Sequence, residues 1–169
     1  MQDFVHLHVH TQYSLLDGQA SVARLVDKAM QNGMKGIAVT DHGNMFGIKE
    51  FTNYVNKKNS GPKGEVKDLK KRIAGIEAGT IECADKEAEI AACKAKIVEA
   101  ENKLFKPVIG CEMYVARRTM DLKEGKPDQS GYHLIVLAKN EKGYHNLIKL
   151  VSHAWTRGYY MRPRTDRSE

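Results

Sequence analysis

The order of apolar and polar positions predicts an α/β arrangement over the first 58 residues. Residues 4–10 predict a strand, and a helical stripe from Val22 to Met30 follows the capping residue Ser21. The continuous apolar run 36–40 predicts a strand buried on both faces, and a second helix is predicted over 46–58. Such alternation of strands and helices is typical of a parallel α/β sheet.

A stretch rich in Lys, Glu and Ala interrupts this pattern. It opens on the helix-breaking cluster Ser-Gly-Pro-Lys-Gly at 60–64. Two apolar stripes with helical spacing follow within 65–103, and their phase changes near Gly79, which predicts two amphipathic helices in an antiparallel hairpin. The hairpin is either a solvated spacer inserted into a domain or a docking surface for another protein, and we favour the spacer.

The α/β pattern returns after the predicted hairpin. Strands are predicted over 106–115 and 133–138, separated by a polar loop at 117–131. A helix is predicted over 140–155, and the polar, basic residues after Gly158 predict no regular element.

The composition is that of a globular chain in a reducing compartment. It is 41% hydrophobic and 28% charged, with no visible signal peptide and no apolar run of membrane-spanning length. The three cysteines lack CxxC spacing, so we expect free thiols and a cytoplasmic protein. The net charge of +6 is compatible with a nucleic-acid partner without requiring one. Basic residues near the end either contact phosphates or are simply solvated: Arg157, Arg162, Arg164 and Arg167.

Three histidines alternate along the first predicted strand. His6, His8 and His10 would point to one face, because side chains alternate between the faces of a strand, and Asp17 follows closely. Such a face would make a poor core, since imidazoles need hydrogen-bond partners. It suits a metal site, because imidazole and carboxylate groups are common ligands.

Further acids and histidines lie beside the other predicted strands. They are Asp41, His42, Glu112 and His133. Singly, Asp41 could begin a turn and His133 could be an ordinary core histidine, whereas a carboxylate in the apolar strand around Glu112 needs a partner. Ligands gather at the carboxyl ends of strands in parallel α/β folds, so we expect several of these groups to converge. Mixed nitrogen and oxygen donors suit zinc, manganese or iron, and clustered ions of this kind typically hydrolyse phosphoesters.

Several of these stretches resemble a known family. The segment from His8 to Gly18, together with Ile-Ala-Val-Thr-Asp-His-Gly at 37–43, resembles the polymerase and histidinol phosphatase (PHP) domain. More specifically, four stretches are similar to the PHP domain at the N-terminus of bacterial DNA polymerase III alpha subunits: 4–18, 106–114, 133–140 and 143–147. This resemblance covers about 3–60 and 105–167 and leaves the predicted hairpin outside.

The resemblance implies a fold and a set of ligands. The fold is the N-terminal part of a distorted (β/α)7 TIM-like barrel, with a multinuclear site of divalent metal ions at its C-terminal face. The implied ligands are His8, His10, Asp17, His42, Glu112 and His133. His6 and Asp41 would orient those ligands. Residues 1–169 would then form a single PHP domain that ends before the later ligands of the family, with 62–104 as an inserted helical hairpin.

The resemblance also implies what the chain does. The leading hypothesis is a fragment of a DNA-directed DNA polymerase whose PHP domain is a metal-dependent phosphoesterase with 3′–5′ exonuclease activity. Its partners would be DNA and, through the full-length protein, the sliding clamp and the proofreading subunit. One alternative is a non-catalytic scaffold for the polymerase and proofreading subunit. The other, less favoured, is a phosphatase of the histidinol-phosphate type.

Overall fold

A computed structural model describes residues 4–169. Its elements, in chain order, are α1 (Val22–Gln31), β1 (Gly36–Val39), α2 (Ile48–Lys58), α3 (Ser60–Glu77), α4 (Lys86–Asn102), β2 (Lys106–Ala116), α5 (Lys126–Gln129), β3 (Gly131–Leu137), α6 (Glu141–Thr156) and β4 (Arg164–Thr165). The chain divides into two compact units. The first runs through Tyr54 and resumes at Lys106, and the second is Val55–Phe105.

The first unit contains a four-stranded sheet in which β2 pairs with each of the other strands. β1 and β4 are parallel to β2, which confirms the predicted α/β class with parallel strands. The β1 register pairs Gly36 with Lys106, and a bridge between His42 and Glu112 keeps the same offset beyond the end of β1. This register places His42 beside Glu112 at the carboxyl end of the first strand.

The pairing of β3 with β2 is antiparallel, unlike the all-parallel sheet that the sequence predicts. The reason lies in the connection between the two strands. Residues 117–130 contain only the four-residue helix α5, whereas the crossover between parallel neighbours is usually built on a full α-helix that packs on the sheet. The strand–helix alternation is therefore interrupted at this point, and closure into a barrel remains a prediction.

The predicted strand at 4–10 is wrong as a regular element, because the segment bends at Leu7 and His8. Two backbone hydrogen bonds attach it to the β1 region, from Ala38 N–H to His6 O (2.8 Å) and from Thr40 N–H to Val9 O (2.9 Å). Between these two bonds one residue, Val39, lies on the β1 side, whereas two, Leu7 and His8, lie on the other. The extra residue is taken up in the bend, and it prevents a continuous ladder.

The core of the first unit forms between the sheet and its helices. α1 begins at the predicted cap, where the Ser21 hydroxyl accepts a hydrogen bond from the backbone N–H of Arg24, and α6 begins in the same way at Asn140. One cluster of buried side chains joins β2 to α6 and comprises Cys111, Met113, Leu147, Val151 and Ala154. This packing fixes α6 against the strand that contains Glu112.

The predicted break at 60–64 is wrong, because α3 begins at Ser60 directly after α2. Asn59 keeps a helical backbone (φ −81°, ψ −2°) between the two helices. Pro62 is tolerated because it lies in the first turn of α3, where backbone N–H groups need no intrahelical partner. The two helices predicted for this region are present as α3 and α4, joined by ion pairs such as Arg72–Glu89.

Two other features of the described residues differ from or extend the prediction. The region after Gly158, for which no element was predicted, contains the short strand β4. No helix within residues 4–169 combines the length and apolar character that crossing a bilayer requires.

Candidate metal centre

Glu112 is the centre of a cluster of histidines. The residue is only 4% exposed, and its Oε2 lies 2.7 Å from His8 Nε2 and 2.6 Å from His10 Nε2. Its other oxygen, Oε1, lies 2.6 Å from His133 Nδ1. One buried carboxylate on β2 therefore connects the 4–10 segment to β3.

His42 extends this cluster toward Asp17. Its Nε2 lies 2.8 Å from Asp17 Oδ2, and its Nδ1 lies 3.6 Å from Glu112 Oε2. The Nδ1 atom is buried and has no hydrogen-bond partner among the described residues. A buried ring nitrogen without a partner is available to bind an ion.

The structure brings all six predicted ligands together. They form three overlapping groups whose potential ligand atoms lie within 4.8 Å of one another: His8, His10 and Glu112; His10, Asp17 and His42; and His42, Glu112 and His133. The shared residues are those expected where more than one ion is held. The Nε2 atoms of His8 and His10 are only 3.1 Å apart and face the same carboxylate oxygen, so the donor set fits a divalent cation.

The electrostatics of the cluster favour the ligating forms of its side chains. Burial alone would raise the pKa of Glu112, but hydrogen bonds from His8, His10 and His133 outweigh it and lower the pKa from 4.5 to about 2. Burial lowers the pKa of the His42 imidazole, and this effect is larger than the increase caused by the negative charge of Glu112. An ionised Glu112 and a neutral His42 are the forms that bind cations.

Asp41 holds the loop that presents Asp17. This carboxylate is 1% exposed and accepts hydrogen bonds from the backbone N–H of Thr11 (2.7 Å), the Thr11 hydroxyl (2.8 Å) and the Ser14 hydroxyl (2.7 Å). The loop closes tightly, since a Cβ on Gly18 would lie 1.8 Å from the Thr11 carbonyl oxygen. Asp41 thus supports the site through this loop.

His6 is not brought into the cluster by any contact of the described residues. Its side chain is exposed and meets Phe4 edge-on, with ring centroids 4.7 Å apart. The bend at Leu7 and His8 separates it from the two later histidines. No contact among the described residues therefore supports the role that was predicted for His6.

The structure corrects the prediction for Arg164, one of the basic residues expected either to contact phosphates or to be solvated. Its side chain is fully buried and donates hydrogen bonds to the carbonyl oxygens of Gly158, Met120 and Leu122. It holds the chain end in place, so it cannot reach a phosphate.

Arg157 and Arg162 are exposed, in different surroundings. The Arg157 guanidinium forms a bidentate ion pair with the Asp121 carboxylate. The Arg162 guanidinium lies 5.8 Å from the centre of the Tyr114 ring, which stacks on His42. Arg162 is therefore the predicted arginine that lies beside the metal-ligand cluster.

Two aromatic residues beside the cluster were missed from the sequence. Tyr114 stacks on His42 with ring centroids 5.7 Å apart, and burial raises the pKa of its hydroxyl. Trp155 donates a hydrogen bond from Nε1 to the Gly43 carbonyl oxygen at 2.7 Å. Trp155 and Gly43 are 112 positions apart in the sequence, so no local sequence pattern indicates this contact.

Comparison with known proteins identifies the family. The model of the PHP domain matches residues 6–97 and 89–169. The chain belongs to the PHP domain family.

Its relatives include replicative polymerase subunits. The chain is 39% identical to DNA polymerase III subunit alpha of Borreliella burgdorferi, over 98% of this chain and 11% of that protein. Identity is 39% to the same subunit of Treponema pallidum and 33% to that of Aquifex aeolicus, over 96% and 98% of this chain and 10% and 11% of those proteins. The chain thus spans about a tenth of the length of these relatives. The similarity also runs through residues 62–104, which the resemblance seen in the sequence leaves outside.

Proposed function

We propose that the cluster around Glu112 is the centre of a metal-dependent phosphoesterase. The observation that supports this proposal most strongly is the convergence of four imidazoles and two carboxylates in overlapping groups. A buried carboxylate is costly unless it is paired or coordinates a metal ion, so Glu112 requires the groups gathered around it. The carboxylate oxygens of Glu112 lie within 2.7 Å of ring nitrogens of His8, His10 and His133.

The proposed roles follow from position. Each of the six clustered side chains would hold a divalent ion of the zinc, manganese or iron class, and His10, His42 and Glu112 would each serve two groups. When bound, such ions polarise a phosphoryl group and supply hydroxide at neutral pH. Asp41 would keep the Asp17 loop in place, and Tyr114 would fix the plane of the His42 ring.

We further propose that the substrate is a DNA 3′ end and that the activity is a 3′–5′ exonuclease. The relatives named DNA polymerase III subunit alpha support this choice over a small-molecule phosphatase. In that setting the 169 residues would be the N-terminal PHP domain of a longer DNA polymerase. The longer protein would contact DNA, a sliding clamp and a proofreading subunit. The free thiols of all three cysteines fit a cytoplasmic location.

A test of this function begins with bound metal. Protein loaded with Mn²⁺ and desalted should retain the ion by elemental analysis and should shorten a 5′-labelled single-stranded DNA from its 3′ end. The double variant His8→Ala, His10→Ala and the single variant Glu112→Gln should lose bound ion, and their hydrolysis should fall by more than about 100-fold.

The matched control is His145→Ala on α6. His145 is an exposed histidine outside the three groups, so this variant should keep both metal and hydrolysis. Equal hydrolysis by the wild-type protein and the His8→Ala, His10→Ala variant would disprove the proposal. Stoichiometric metal without hydrolysis, in the longer protein as well, would favour the non-catalytic scaffold.

We also propose that residues 62–104 form a spacer inserted into the PHP domain. The ends of the segment are held together, because the Asn59 side chain accepts a hydrogen bond from the Phe105 N–H (2.9 Å) and donates one to the Phe105 carbonyl oxygen (2.8 Å). Closely spaced ends are what an insertion between two parts of one domain requires.

A further inference from the structure

A groove of about 430 Å³ opens beside the His42–Asp17 pair and is rich in aromatic side chains. Three of them, Phe46, Trp155 and Tyr159, form what we call the aromatic platform. Trp155 and Tyr159 stack with centroids 5.6 Å apart at 20°, and Phe46 lies 6.4 Å from Trp155. The same groove therefore contains two of the metal-ligand candidates and a surface of aromatic rings.

The platform presents its rings to solvent. Phe46 is 65% exposed, Tyr159 is 49% exposed and Trp155 is 43% exposed. Burial of an exposed aromatic side chain is strongly favourable, so a contiguous patch of such rings usually marks a binding surface. The volume of the groove lies within the range of small-molecule and cofactor pockets.

The platform is fixed relative to the metal-ligand cluster. Trp155 Nε1 donates to the carbonyl oxygen of Gly43, the residue after His42. The Asn44 amide donates to the carbonyl oxygens of His42 (3.0 Å) and Tyr13 (3.1 Å), and its Oδ1 accepts from the Phe46 N–H. A ligand that spans both places would therefore meet a preformed surface.

The groove has one arginine, Arg162, and one carboxylate, Asp17, which pairs with His42 at 2.8 Å, so Arg162 is the charged group left for an anionic ligand. Arg162 lines the groove and lies over Tyr114, which in turn stacks on His42. This places a guanidinium group on the side of the groove nearest the cluster, where a phosphate would lie. Aromatic rings for bases and an arginine for phosphate are the two features that single-stranded nucleic-acid sites combine.

We propose that the aromatic platform binds the terminal bases of a single-stranded nucleic acid whose phosphodiester lies at the His42–Asp17 side of the groove. The proposal rests on the proposed phosphoesterase function and adds the surface that binds the terminal bases of its substrate. Bases within a duplex are stacked on one another and present no free face to the platform, so we expect single strands to be preferred. An apolar peptide would leave Arg162 and the adjacent cluster without a partner.

Trp155 is the chain's only tryptophan and provides the readout. The protein with Mn²⁺ is titrated with a single-stranded oligothymidylate of about ten nucleotides at physiological salt, where non-specific attraction to the +6 chain is weakened. Phosphorothioate linkages keep the probe from being consumed. We expect saturable quenching of Trp155 emission, and at least about tenfold weaker binding of a blunt duplex of the same length.

Two variants and a control locate the site. Tyr159→Ala and Phe46→Ala keep the reporter and should each weaken binding by roughly 5- to 150-fold, the effect of losing one stacked base. Tyr132→Ala removes an exposed aromatic ring outside the groove and should leave the affinity unchanged.

The outcomes separate this proposal from the phosphoesterase function. Quenching that depends on Phe46 and Tyr159 supports the platform even if no hydrolysis is found. Hydrolysis with equal affinity in the wild-type, Tyr159→Ala and Phe46→Ala proteins overturns the platform and leaves the function standing. Trp155 emission that responds to acrylamide but not to the oligonucleotide also overturns it, and assigns the exposed rings to a protein contact.

Discussion

At the scale of single residues, Asp41 connects the sequence of the loop to the geometry of the cluster. It is buried, and three donors from Thr11 and Ser14 point at its two oxygens. The Ser14 hydroxyl oxygen also accepts a hydrogen bond from the backbone N–H of His42 at 3.2 Å. A single carboxylate therefore sets the position of the loop before Asp17 and of the strand end at His42, although it lies outside the three ligand groups.

Replacing Asp41 with Asn tests this supporting role. The amide keeps one acceptor but turns an NH2 group toward a donor, so we expect the free energy of unfolding to fall by about 1–3 kcal/mol. Mn²⁺ affinity should fall by roughly 10- to 100-fold although every ligand is retained. Denaturant unfolding and a metal titration measure the two effects. The exposed Asp68→Asn variant is the control, and equal metal affinity in Asp41→Asn and wild type would disprove the role.

The chemistry of the site residues decides which of them the sequence could reveal. His8, His10 and Glu112 could be identified because imidazoles and acids beside apolar strands are unusual in themselves. Arg164 could not be placed correctly, since its burial depends on carbonyl groups 42 and 44 positions away. Tyr114 lies between apolar neighbours in β2, so the sequence shows it only as an ordinary strand residue. Its ring stacks on His42 because β1 and β2 pair in the folded chain.

At the scale of elements, Asn59 closes the base of the helical unit. Asn59 and Phe105 are 5% and 3% exposed, and the side chain of one satisfies both backbone groups of the other. Buried backbone groups cost free energy when they lack partners. The ends of the α3–α4 segment are therefore joined by hydrogen bonds that resemble those of a strand pair.

Replacing Asn59 with Ala should loosen this closure. Two buried backbone groups of Phe105 would lose their partners, so we expect a loss of about 2–4 kcal/mol in the free energy of unfolding. Hydrogen exchange should rise in residues of α3 and α4 more than in β2 and β3. Asn56→Ala is the matched control, because Asn56 is exposed and its side chain accepts a hydrogen bond from the exposed Lys63. Equal stability of the two variants would contradict the closure.

Local patterns identify most elements and fail where tertiary contacts override them. Ser21 and Asn140 mark helix starts because a cap acts through neighbours three positions away. The break expected at Pro62 does not occur, since proline is harmless in a first helical turn. The antiparallel β3 could not be derived from strand propensity, because pairing direction depends on whether the connection before it contains a full crossover helix.

At the scale of the whole molecule, the ligand candidates come from four places that are far apart in the chain. The segment from His8 to Asp17, the residues just after β1, the middle of β2 and the start of β3 each supply at least one. In the unfolded chain these groups are dispersed, so an ion held by several of them binds the folded state alone. Metal binding should therefore be visible as stability, independently of any catalysis.

Saturation with Mn²⁺ should raise the free energy of unfolding by about 2.7 kcal/mol when the free ion is 100 times its dissociation constant. Manganese is the better probe than zinc, because thiolates such as those of Cys83 and Cys93 bind zinc in the unfolded chain and reduce the effect. Denaturant titrations with and without Mn²⁺ measure the difference, and a chelator should reverse it. Glu112→Gln should lose most of the increment because Glu112 belongs to two of the three groups, whereas His145→Ala should keep it. An equal increment in all three proteins would mean that the ion binds elsewhere than the cluster around Glu112.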